Sequence, residues 1–144
     1  MKLFFAFCML FTSSFVFAYS AGNKLNSQEY VYDVAVDGGT AGAYVLSSKD
    51  NKKVLPDDAV VKSVTAWVET AVNGSGTLSW GNTASTTVFG NAVATGTLVK
   101  DYVVEYETPF VVAGTTTANF IATTSATMTA GKVHFMVDFF TPEL

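Results

Sequence analysis

Residues 60–81 read VVKSVTAWVETAVNGSGTLSWG, and the fold turns on how this stretch is read. In an extended chain Val60, Val64, Ala66, Val68 and Val72 fall on one face, and Val61, Ser63, Thr65, Trp67 and Glu69 on the other. A period of two marks a half-buried strand, whereas a helix would bring apolar residues back every three or four positions. Asn73-Gly74-Ser75-Gly76 follows, with two glycines where φ > 0 carries no steric cost. The stretch therefore predicts a long strand, a tight turn and an antiparallel return through Thr77 to Gly81.

The same period extends on either side. From Glu29 to Asp37, Tyr30, Tyr32, Val34 and Val36 alternate with Glu29, Val31, Asp33, Ala35 and Asp37. Asp37-Gly38-Gly39 has turn chemistry, so Thr40 to Ser47 is expected to pair back as a second hairpin or strand pair. Asn82 to Thr97 is poor in apolar anchors and reads as a long loop with a short strand or one helical turn. Leu98 to Glu107, Phe110 to Ala113, Asn119 to Met128 and Lys132 to Phe140 read as strands, with Thr129-Ala130-Gly131 joining the last two. Eight or so short strands with regular turn signals and no helical stripe predict an all-β fold, an antiparallel sandwich or jelly roll.

Composition narrows the role. The 144 residues include 12 acids, eight lysines and no arginine, for a formal charge of −4. Without guanidinium groups for bidentate phosphate contacts, nucleic acid is a poor partner. One histidine, one cysteine and no motif for a cofactor leave little for metal or nucleophilic chemistry, so no catalytic, cofactor or metal residue is assigned. A non-enzymatic role by association is expected.

Particular motifs resemble a known group of proteins. They are the run Leu55-Pro56-Asp57-Asp58-Ala59-Val60-Val61, the strand end Val68-Glu69-Thr70-Ala71-Val72 and the turn and return from Asn73 to Gly81. The chain resembles small structural proteins encoded in the virion modules of tailed phages. The likeness continues through Phe120, Ala122, Thr124, Ala126 and Met128, then Thr129 to Val133, and spans most of residues 30–140. It implies a β-sandwich virion component, a capsid-decorating or fibre-associated subunit without enzymatic activity. The alternatives are a secreted carbohydrate-binding module and an adhesin or filament subunit that receives a donated strand.

Several side chains are candidates for a specific job. Met136 and Phe140 lie opposite Val133, Phe135, Val137 and Phe139 in the last strand, and apolar residues on both faces predict a subunit interface of a homo-oligomer or with a capsid partner. Cover by the Asn82 to Thr97 segment is the intrachain alternative. His134 shares the face of Met136, Asp138 and Phe140, and is read as a surface or interface histidine, since Asp138 is too far along the strand to touch it. Trp67, Trp80, Tyr102 and Tyr106 are candidates for a glycan platform, with Trp67 foremost because it falls on the polar face of its strand. Asp37, Asp50, Asp57 and Asp58 match no EF-hand loop and read as turn residues rather than calcium ligands. Lys62, near a strand end, is expected to reach water.

Residues 1–18 pose a separate problem. Lys2 precedes an apolar stretch from Leu3 to Phe17, and Val16-Phe17-Ala18 offers a cleavage site. The stretch is shorter than the roughly 20 residues a spanning helix needs, so a signal peptide is expected, with residues 19–144 as one domain. Cys8 would leave with it, and the remaining domain would be secreted, acidic and free of cysteine. Virion subunits are ordinarily assembled in the cytoplasm, so export and a virion location are alternatives. The expected outcome is cleavage after Ala18, checked by intact-mass analysis of the exported protein; retention of residues 1–18 would contradict it.

Overall fold

A strand with alternating apolar and polar residues buries one face only, and a set of such strands is stable when two sheets cover each other. The computed structural model describes residues 25–48, 55–56, 59–111 and 119–141 and realises that solution. Eight strands form it: β1 (Leu25–Asp33), β2 (Gly42–Val45), β3 (Val60–Gly74), β4 (Thr77–Asn82), β5 (Gly90–Ala94), β6 (Val103–Val111), β7 (Phe120–Thr124) and β8 (Met128–Phe140). Sheet A has the order β1-β8-β3-β6 and sheet B the order β2-β7-β4-β5. All pairs are antiparallel, and β1 pairs with β8, β2 with β7, β3 with β6 and β4 with β5. This is an antiparallel ribbon folded back on itself and rolled, the eight-stranded jelly roll.

Two expected hairpins do not form. β3 and β4 lie in different sheets, and so do β1 and β2. The turn at Gly74 (φ +144°) and Gly76 (φ +113°) carries the chain across from one sheet to the other. Its hydrogen bonds show the crossing, with Thr95 N–H donating to Gly76 O (3.1 Å) and Ser125 N–H to Thr77 O (3.0 Å). β4 and β5 are consecutive strands that do pair, so the Asn82–Thr97 segment supplies both a strand and a 3-10 turn (Thr95–Thr97) and lies with sheet B.

Local chemistry sets the other boundaries. β1 ends at Asp33 because Asp33 Oδ1 accepts from Ala35 N–H (2.9 Å) and Asp37 Oδ2 accepts from Asp33 N–H (2.8 Å). That reciprocal box turns Val34–Asp37 into one helical turn, α1, where alternation alone predicted continued strand. A register shift between Val61 and Ser63 places Val61, fully buried, in the core and leaves Lys62 exposed. Residues 98–102 form turns ahead of β6, and Thr129-Ala130-Gly131 lies inside β8.

The inner faces meet in an aromatic cluster. Phe120 of β7 stacks on Tyr30 of β1 (centroids 4.6 Å, 15°) and lies 5.3 Å from Phe135 of β8. Trp80 of β4 meets Phe135 at 5.2 Å and Tyr106 of β6 edge-on at 5.3 Å, so rings from both sheets interlock. Gly90 is required here, since a Cβ would fall 2.2 Å from the Trp80 indole. The Tyr32 hydroxyl donates to Gly38 O (2.8 Å), and burial, with Tyr44 and Asp37 nearby, pushes it up to about 12. Val133, Val137, Val64, Ala66 and Val68 complete the layer in sheet A.

Gly74 combines left-handed backbone with a tight approach, because a Cβ there would sit 2.5 Å from Thr127 O. Gly74→Val is expected to cost about 1–3 kcal/mol and to lower the thermal unfolding midpoint by several degrees. Calorimetry of wild type and variant checks this; an unchanged midpoint would mean the crossing tolerates a side chain.

Candidate functional site

The outer face of sheet A is built from alternate residues of four paired strands. β8 supplies Lys132, His134, Met136, Asp138 and Phe140, which register with Asp33, Val31, Glu29, Ser27 and Leu25 of β1. On the other side His134 registers with Trp67, Met136 with Thr65 and Phe140 with Val60 of β3. β6 adds Val103, Glu105 and Glu107 at the edge, all exposed.

His134 stands at the centre of this face with a carboxylate on each side. Its Nδ1 lies 2.6 Å from Glu29 Oε1 and its Nε2 2.7 Å from Glu69 Oε2. A carboxylate accepts hydrogen bonds, so each ring nitrogen of His134 faces an acceptor oxygen. The Trp67 indole stacks on this ring (centroids 4.2 Å, 7°), a geometry that favours a cation over the indole face. Lys132 Nζ donates to the second oxygen of Glu69 (3.3 Å). Glu29, His134, Glu69 and Lys132 are thus linked in one chain of contacts across β1, β8 and β3. The hydrogen bond from His134 holds the Glu69 carboxyl below its usual range, partial burial opposes this, and Lys132 adds to the lowering.

Sequence reasoning placed His134 on this face and considered only its own strand. Both of its carboxylate partners come from neighbouring strands, and it is buried at 5% exposure rather than at the surface. Asp138 accepts a hydrogen bond from Ser27 Oγ. The missing signal was strand register, which alternation within one strand does not carry.

The aromatic candidates divide between the two sides of sheet A. Trp67 is on the outer face, 37% exposed, with one ring face against His134. Trp80 is fully buried between the sheets, and Tyr102 and Tyr106 pack against the core, so the four rings do not gather into a platform. Asp50, Asp57 and Asp58 lie outside the described residues, and Asp37 serves the α1 box. Among the described residues no three His, Cys, Asp or Glu side chains are grouped as metal ligands would be. Met136 and Phe140 are half-buried on the outer face of sheet A. The Asn82–Thr97 segment lies with the opposite sheet and does not cover them.

With this geometry in hand, comparison places the fold. No family model and no curated protein matches the sequence. Among solved structures, the chain is similar to a chain of the cyanophage Pam1 capsid asymmetric unit, with a TM-score of 0.65 at 17% identity over 86% of this chain and 89% of that one. It is also similar to a chain of the acidic stable capsid of Helicobacter pylori bacteriophage KHP30, with a TM-score of 0.57 at 16% identity over 83% and 89%. The fold is therefore one found in phage capsids, as the sequence resemblance implied.

Because the Glu69 carboxyl is held below its ordinary value of 4.5, its contribution to stability is complete above that value and is lost as pH falls through the lowered one. The difference in thermal midpoint between wild type and Glu69→Gln is expected to be full at pH 6 and to close towards pH 3. A difference that persists in acid would show that the Glu69 charge contributes nothing.

Proposed function

We propose that this protein is a non-enzymatic structural subunit of a virion capsid, acting by association. The observation that carries the reading is a fold likeness to chains of two phage capsids over nearly the full length of each chain. The outer face of sheet A supports it. Leu25, Trp67 and Val103 are exposed there beside half-buried Met136 and Phe140, more apolar surface than a free monomer needs to show.

The chemistry of that face also describes what it meets. The central cluster pairs Glu29 and Glu69 with His134 and Lys132, which leaves Asp33, Glu105, Glu107 and Asp138 around the apolar residues. A surface with lysine or arginine around an apolar patch is complementary, so the face suits another subunit of the particle better than its own acidic copy. A second reading, glycan binding, rests on the one ring face that Trp67 leaves away from His134; loss of glycan-array signal in Trp67→Ala would favour it.

Particles purified from cells that encode the chain are expected to contain it, as read by mass spectrometry. Met136→Lys with Phe140→Lys should remove it from the particle fraction while its circular dichroism remains β-type. Absence of the wild-type chain from particles would overturn the proposal, and a folded double variant that stays on the particle would remove this face from it.

A further inference from the structure

Trp67 has two ring faces, and its own sheet occupies one of them. His134 of β8 stacks there, with centroids 4.2 Å apart and an interplanar angle of 7°. Because β3 runs between β8 and β6, the opposite face of the indole is turned towards β6. On that side the register partner of Trp67 is Val103, and β6 is the last strand of sheet A. Val103 is 61% exposed and Trp67 37%, so the space above the valine and beside the ring is open. The indole is the wall of a notch and the valine its floor.

Two carboxylates border this notch, and they differ. Glu69, two positions along β3, has one oxygen 2.7 Å from His134 Nε2 and the other 3.3 Å from Lys132 Nζ, so both are engaged. Glu105 is the register partner of Thr65, which makes it the diagonal neighbour of Trp67 on the outer face. Diagonal neighbours of an antiparallel pair stand about 7–8 Å apart, within reach of long side chains. Glu105 is exposed and makes no hydrogen bond or ion pair among the described residues.

We propose that this notch is a socket for an arginine side chain of the subunit that sheet A faces. A guanidinium is planar, permanently charged and weakly hydrated, so it lies flat on an indole while its fork of N–H donors pairs with a carboxylate at the margin. Trp67 supplies the free face, Val103 receives the aliphatic stem, and Glu105 has the unengaged oxygens. A lysine ammonium has neither the plane nor the fork, and a neutral sugar brings no charge to Glu105. The chain contains no arginine, so a second copy does not fill the socket and the side chain belongs to a different protein. Tryptophan and arginine are also the residues on which binding energy concentrates at interfaces. The inference deepens the assembly role proposed above and rests on it.

The test is nuclear magnetic resonance of the purified chain, read at its two indole N–H signals during titration with a tetra-arginine peptide, a tetra-lysine peptide and neutral trisaccharides. The Trp67 signal is expected to move with the arginine peptide while that of Trp80, fully buried, stays in place. Affinity for the arginine peptide should exceed that for the lysine peptide at least threefold. Glu105→Gln, on an exposed edge strand, should weaken arginine binding at least threefold and lower the amount of chain in purified particles. Asp138→Asn, which removes the same charge elsewhere on the face, should do neither. Equal affinity for the two peptides, indifference to Glu105→Gln, or a Trp67 signal that answers to a trisaccharide instead would overturn the socket. An arginine-selective socket in a chain absent from particles would refute the virion role alone.

Discussion

Val60–Gly74 and Met128–Phe140 run antiparallel through the middle of sheet A, with paired positions from Val60 and Phe140 to Gly74 and Met128. These are the two longest strands, and each has a further strand on its other side, β6 on β3 and β1 on β8. Neither outer strand of sheet A reaches the other without this central ladder. The ladder also fixes which residues face inward. Val133, Phe135, Val137 and Phe139 point to the core because Val64, Ala66 and Val68 do so beside them, and the aromatic layer of sheet B closes on that surface. Pairing residues so far apart in sequence makes the fold one of high contact order, whose stabilising contacts come after much chain has been ordered.

How much of this the sequence showed follows from what alternation measures. It reports that a segment is extended and which residues share a face, so the all-β class, the number of strands and the inward set of β8 were legible. It is silent about partners. The turns at Asp37–Gly39 and Asn73–Gly76 contain hairpin residues, yet both carry the chain between sheets, since glycine permits the bend without specifying the pairing. Alternation also fails where the register slips. The shift between Val61 and Ser63 exchanges the roles of Val60 and Val61. The His134 cluster was hidden for the same reason, because Glu29 and Glu69 are 105 and 65 positions away and are brought in by pairing alone.

The two sheets answer the same core with different outer surfaces. Sheet A satisfies its central charges internally and keeps an acidic rim around exposed apolar residues. Sheet B dispenses with charge and uses Thr, Ser, Gly and Ala on its outer side, where β-propensity comes from threonine and valine rather than from long polar side chains. The core carries some cost of its own. The Tyr30 hydroxyl and Trp80 Nε1 are buried without a partner among the described residues, and packing of their rings against Phe120 and Phe135 offsets that loss.

Folding the ribbon back on itself brings the start of β1 beside the end of β8. Leu25 and Phe140 are register partners, about 5 Å apart as neighbours in a ladder are. Anything fused before residue 25 and anything fused after residue 141 would therefore emerge at the same corner of the molecule, beside the outer face of sheet A. A short linker from Thr141 to Leu25 would close the described strands into a circle, and new termini opened in the Leu98–Tyr102 turns would leave the central ladder continuous. The architecture is thus a natural scaffold for display, with one attachment corner.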